Sequence, residues 1–132
     1  MSRENVEAIR LAYDAFNKGD SDPMFALLDD EFTYRARAEL PGGGAFEGVE
    51  AFRSRIAELE EVFAELRFEP QEIIDAREHV VVVLCQIARG RSSGAGVEQP
   101  IVHVWRIEAG RGKELRVYGQ RAEALAAVGL RE

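Results

Sequence analysis

Residues 79–89, His79-Val80-Val81-Val82-Val83-Leu84-Cys85-Gln86-Ile87-Ala88-Arg89, and residues 101–107, Ile101-Val102-His103-Val104-Trp105-Arg106-Ile107, decide the fold. Both runs are rich in β-branched and aromatic residues, and a strand sends alternate side chains to opposite faces. In the first run one parity gives Val80, Val82, Leu84, Gln86 and Ala88, and the other gives Val81, Val83, Cys85 and Ile87. In the second, Ile101, His103, Trp105 and Ile107 oppose Val102, Val104 and Arg106. A sheet with one face open to water would not be apolar on both parities. Something covers each face.

Two further strand-like runs, 66–74 and 113–119, flank this pair. The linkers Asp75-Ala76-Arg77-Glu78, Ser92-Ser93-Gly94-Ala95-Gly96 and Ala109-Gly110-Arg111-Gly112 are too short for a parallel crossover, so these four strands pair antiparallel. The N-terminal half supplies helices. Val6, Ile9, Tyr13 and Phe16 recur at helical spacing from about Arg3, and Asn17-Lys18-Gly19-Asp20 ends that helix. Ser21-Asp22-Pro23 opens a short second helix burying Met24, Leu27 and Leu28, which Asp29-Asp30 ends. Phe32 to Arg37 reads as a strand, Pro41-Gly42-Gly43-Gly44 as a loop, and Phe52, Ile56, Leu59 and Phe63 as the apolar stripe of a third helix over 49–65. Gln120 and Glu123 stand where a cap and its reciprocal Glu belong, ahead of a short final helix stopped by Gly129. The order predicts an α+β fold with helices massed on one face of a bent sheet.

A length of 132 residues with 46% apolar content predicts one domain over 1–132. The net charge of -7 argues against nucleic acid or an anionic membrane as partner. No signal-peptide core follows Met1 and no run approaches a membrane span, so with a single cysteine, Cys85, the expected compartment is cytoplasmic. No metal-ligand spacing appears. Gly42-Gly43-Gly44 lacks the Lys-Ser/Thr of a phosphate loop, and Glu58, Glu60, Glu61 and Glu65 read as a solvated helix face.

The segments Ala12-Tyr13-Asp14-Ala15-Phe16-Asn17-Lys18-Gly19-Asp20, Leu28-Asp29-Asp30-Glu31-Phe32, Phe46-Glu47-Gly48-Val49-Glu50-Ala51-Phe52, His103-Val104-Trp105 and Arg121-Ala122-Glu123-Ala124-Leu125 point to one superfamily. Over nearly its whole length the chain resembles the SnoaL-like branch of the nuclear-transport-factor-2-like (NTF2-like, cystatin-like) superfamily, which includes polyketide cyclases and relatives of ketosteroid isomerase. The resemblance implies a cone, a curved and mostly antiparallel sheet with helices on its concave face around an apolar pocket. It implies that Val80, Val82, Leu84 and Gln86, with Ile101, His103 and Trp105, face the interior. The opposite parity then meets a partner subunit's sheet in a homodimer. Placed by Gly19-Asp20 and Asp29-Asp30, the carboxylate base of the steroid isomerases falls at Arg35, their phenol at Ala12 beside Tyr13, and their protonated carboxylic acid at about His103. Steroid isomerisation is therefore not expected. The Asp-Arg-Asp constellation of the epoxide-hydrolase relatives finds no aspartate on the inferred inner faces, and a carboxylate many relatives carry is Gln120 here.

His103 is the candidate catalytic residue, as a general base or as a hydrogen-bond donor to a substrate oxygen, with a satisfied core histidine as the other reading. Gln86 would orient that ring or contact the ligand. Arg35 and Arg37 share a parity, and an inward guanidinium would favour a carboxylate or enolate-like ligand. Tyr34, Tyr13 and Trp105 are candidate walls, or packed aromatics. The expected ligand is a small, largely apolar organic molecule, held without a cofactor in a hollow of roughly 300 Å³ or more, with His103 and Gln86 at its wall. Two activities follow from the resemblance: a cofactor-free isomerase, cyclase or hydratase on a ketone-bearing substrate, or a non-catalytic binding or assembly module.

Overall fold

The computed structural model describes residues 2–36 and 44–131. Helices α1 (Ser2–Asn17), α2 (Asp22–Ala26), α3 (Val49–Val62) and α4 (Arg121–Ala127) accompany strands β1 (Leu28–Ala36), β2 (Gly44–Glu47), β3 (Phe63–Ala76), β4 (His79–Gly90), β5 (Gly96–Glu108) and β6 (Arg111–Tyr118). The strands form one curved, unclosed sheet in the order β2-β1-β6-β5-β4-β3. Every neighbouring pair is antiparallel except β1 with β6. Register shifts between Phe63 and Glu65 and between Pro70 and Glu72 break the β3 ladder, and such irregularities bend a strand.

Alternation on β4 sorts the two faces. Val80, Val82, Leu84, Gln86 and Ala88 are buried, together with Ile101, His103 and Trp105 of β5 and Leu115 and Val117 of β6. The apolar members of this face other than Ala88 join Ile9, Tyr13 and Phe16 of α1, Met24 and Phe25 of α2 and Phe52 and Ile56 of α3 in one core. At the end of α1, Asn17 donates its side-chain amide to the Phe68 carbonyl at 2.7 Å and accepts from the Phe68 N–H at 2.8 Å. One side chain thus acts as a strand partner and ties the helix to β3. Gly48, at φ 91°, donates its N–H to the Phe32 carbonyl and turns the chain from β2 into α3, a backbone region where an L side chain would be strained.

The structure departs from the sequence reading at several points. The fourth helix does not join the others. Ala124 and Leu125 pack on Val81, Val102 and Val104, so α4 covers part of the outer face. The outer parity of β4 is therefore covered within this one chain at Val81, while Val83, Cys85 and Ile87 stay half-buried. Gln120 occupies the N-cap position of α4 but makes no side-chain cap bond. The third helix ends at Val62, because Phe63 turns extended and pairs with Gly90 as the start of β3. Strand β1 begins at Leu28 rather than Phe32, because Leu28 pairs with Gly112 of β6 and Asp29 reaches Lys113 Nζ at 3.0 Å. The short strand β2 was not foreseen from its Gly-rich approach. Arg37 and Pro41-Gly42-Gly43 lie outside the described residues.

Candidate functional site

Strand β5 sets His103 between Val82 of β4 and Val117 of β6, on the concave face. Tyr13, on the buried stripe of α1, reaches across the cone so that its hydroxyl lies 2.6 Å from His103 Nδ1. Trp105, two residues along β5 and therefore on the same face, donates its indole N–H to the Tyr13 hydroxyl at 2.8 Å. These contacts assign the protons. The indole nitrogen can only donate, so the phenol oxygen accepts from it, and giving its own proton to Nδ1 is the arrangement that leaves the fewest polar groups of the relay unpaired. His103 is then the neutral tautomer with its proton on Nε2, and Nε2 has no hydrogen-bond partner among the described residues.

Burial supports the same protonation state. Desolvation pushes the His103 imidazole down to about 3 and raises the Tyr13 phenol well above its ordinary value, against the hydrogen bond from Trp105. At neutral pH both groups are uncharged. A ring that weakly basic is a poor proton acceptor, whereas its Nε2–H is a fixed donor.

The concave face encloses a hollow whose wall includes His103, Gln86, Tyr13, Tyr34, Trp105 and Arg55. Its volume is only about 50 Å³, far below the roughly 300 Å³ expected. Aromatic rings account for the difference. Tyr34 lies 5.1 Å from Phe52 between ring centroids, Phe32 lies 5.1 Å from Phe52, and Phe68 lies 5.5 Å from both Phe16 and His103. The hollow is partly open, and its least buried lining residues, Arg55, Leu59 and Phe68, mark the rim.

The predicted site residues divide. His103, Gln86, Tyr34, Trp105 and Tyr13 share the wall. Arg35 does not, because its parity on β1 is outward and it faces Glu114 of β6 at 3.7 Å from a half-exposed side chain. Gln86 does not orient the histidine either. It pairs with Gln99, four residues along β5 from His103 and therefore about 13 Å away along the strand. The ring is oriented by Tyr13. Gln86 is 5% exposed, and its side-chain amide has no partner among the described residues, so it offers a second polar point to the hollow. Tyr34 stays a phenol, pushed up to about 12 by burial despite the nearby positive charge of Arg55.

Two features escaped the sequence reading. The tyrosine-histidine bond joins residues 90 positions apart and leaves no local signal. Arg55 does leave one, since it sits three residues after Phe52 and four before Leu59 and so borders the apolar stripe of α3.

The SnoaL-like domain family matches residues 9–115. Among solved structures, an NTF2-like protein of unknown function from Burkholderia pseudomallei is 25% identical with a TM-score of 0.77, over 95% of this chain and 97% of that one. TerC, co-crystallised with polyporic acid, is 19% identical with a TM-score of 0.76, over 94% and 97%. A protein from Jannaschia bearing the description SnoaL-like polyketide cyclase is 20% identical with a TM-score of 0.76, over 96% and 92%. No curated protein matches by sequence.

The neutral buried ring predicts a pH dependence with a definite sign. The folded pKa of about 3 lies below the unfolded value near 6.5. Between them the unfolded chain binds the extra proton, so stability is lost as pH falls from about 6.5 toward 3, at up to about 1.4 kcal/mol per unit. Urea unfolding at pH 7, 6, 5 and 4 is expected to show a steeper decline for the wild type than for His103→Gln. Parallel declines would contradict a neutral buried imidazole.

Proposed function

The chain belongs to the SnoaL-like branch of the NTF2-like superfamily, and we propose that it binds a small, largely apolar carbonyl compound in its cone, with the carbonyl oxygen on His103 Nε2–H. One observation carries this reading: Trp105 and Tyr13 together fix the histidine tautomer and leave an oriented donor, without a partner among the described residues, at the wall of an apolar hollow. A ligand oxygen accepting from that N–H gains a hydrogen bond worth about 1 kcal/mol net.

The chemistry that suits such a donor is stabilisation of negative charge on oxygen. Enolisation, cyclisation and hydration of a ketone-bearing compound all build charge there, and a pre-oriented N–H in an apolar site stabilises it as it forms. In this reading His103 is the catalytic residue as an oxyanion donor, Tyr13 and Trp105 position it, Tyr34 helps wall the hollow, and Gln86 holds a second polar point of the ligand. No carboxylate is among the described residues lining the hollow, so removal of a proton from carbon falls to solvent. That absence also favours a second reading, a binding module without turnover. The co-crystallisation of TerC with polyporic acid supports ligand occupancy of this fold. The free Cys85 and the charge of -7 support a cytoplasmic protein that avoids nucleic acid, and no helix among the described residues is long and apolar enough to cross a membrane.

The outer face supports pairing with a second copy. Helix α4 buries Val81, Val102 and Val104, yet Cys85 and Ile87 of β4 stay half-buried beside the charged row Arg67, Glu69 and Glu72 of β3. Such a face suits an isologous contact with its own copy.

Acetophenone is a suitable probe of the pocket. Titration is expected to shift the NMR signals of the His103 ring and the Trp105 indole, and the ketone's methyl protons are expected to exchange with deuterated water faster than in buffer. His103→Phe should slow that exchange by about 10²-fold. Binding without accelerated exchange selects the module reading, and absence of binding contradicts the proposal. For the assembly, sedimentation equilibrium is expected to give a dimer that Ile87→Glu disperses, and a wild-type monomer would refute it.

A further inference from the structure

Of the described residues lining the hollow, Arg55 alone carries a charge at neutral pH, since His103 and both tyrosines are neutral there. Its Nε is fully buried and has no hydrogen-bond partner among the described residues. The counter-charge on the same helix, Glu58, is 3.9 Å away and its side chain is 68% exposed, so that pair is solvated and weak. The guanidinium carbon also lies 5.9 Å from the Phe46 ring centroid, which holds the group against the β2 side of the rim.

We infer that Arg55 selects the class of ligand: a small keto acid, bound with its carboxylate on the Arg55 guanidinium at the rim and its ketone oxygen on His103 deeper in the cone. The inference rests on the carbonyl-binding reading above and adds the charge of the ligand to it. Three physical points support it. A guanidinium presents a planar fork of donors that matches a carboxylate, and the Arg55 side chain, 28% exposed, stays reachable at the rim. No Asp or Glu among the described residues lines the hollow, so an anion entering it meets no repulsion. The apolar walls keep the effective dielectric low, so a single positive charge acts more strongly there than on the wetted surface. On a chain of net charge -7, a described lining with one cation and no carboxylate, its nearest acid Glu58 turned to solvent, is a local inversion of sign. It separates a monoanion from the neutral ketone that the rest of the pocket would accept equally well.

The test compares 3-benzoylpropionate with its amide, two molecules that differ in charge and keep the same aryl ketone, alongside acetophenone. Calorimetric titration at pH 7 is expected to show the acid binding at least tenfold more tightly than the amide. Arg55→Met and Arg55→Gln should each abolish that preference, lowering acid affinity at least tenfold relative to amide affinity, and Arg55→Lys should keep part of it. Arg55 is partly exposed on the rim of α3, so these variants are expected to fold, and an unchanged thermal unfolding midpoint checks it. Equal affinities for acid and amide, or a preference that survives Arg55→Met, would overturn the inference and leave the carbonyl reading standing. Failure of all three probes to bind would overturn both.

Discussion

The indole N–H of Trp105, the hydroxyl of Tyr13 and Nδ1 of His103 form a two-bond relay at 2.8 and 2.6 Å, and the arrangement of the cone follows from it. Two of its members lie on one face of β5 and the third on the opposing helix, so the relay fixes how α1 lies across the concave sheet. Each polar atom in it would be costly to bury alone. Satisfied in sequence, they leave the relay's unspent proton on Nε2 of a ring at the wall of the hollow. The Asn17 clamp on Phe68 secures the same helix one turn further along, and the Phe68 ring lies 5.5 Å from the histidine.

Much of the fold is legible along the chain, for local reasons. Period-two alternation in 79–107 names the buried face of β4 and β5, and the apolar spacing from Val6 to Phe16 names the helix above it. What the pattern does not encode is which layer covers which face. The outer residues Val81, Val102 and Val104 read as an interface because α4 is short and its Leu125 carries little signal alone, yet that helix folds back over them. Boundaries shifted where a long-range pairing outweighed local preference, as when Gly90 draws Phe63 out of the helical stripe and Gly112 extends β1 back to Leu28.

The candidate site divides along the same line. His103, Gln86, Tyr34, Trp105 and Tyr13 were recoverable because strand and helix parity fix their direction. Arg35 shows the limit of parity on an edge-proximal strand whose bounds were misread, and the cation that reaches the hollow comes instead from Arg55 on α3. The size of the hollow was not legible at all, because ring stacking among Phe16, Phe52, Phe68 and Tyr34 is decided in three dimensions. The superfamily scaffold is therefore present with its interior largely filled, and the described lining of the hollow carries a neutral imidazole and one peripheral cation but no carboxylate.

The most direct test of this account is the protonation of the two His103 ring nitrogens. Long-range proton-nitrogen correlation spectra of the uniformly 15N-labelled protein at pH 7 are predicted to show a neutral ring protonated at Nε2 and bare at Nδ1, with Nδ1 losing its hydrogen-bonded shift in Tyr13→Phe. A ring protonated at Nδ1, or a charged imidazolium, would contradict it.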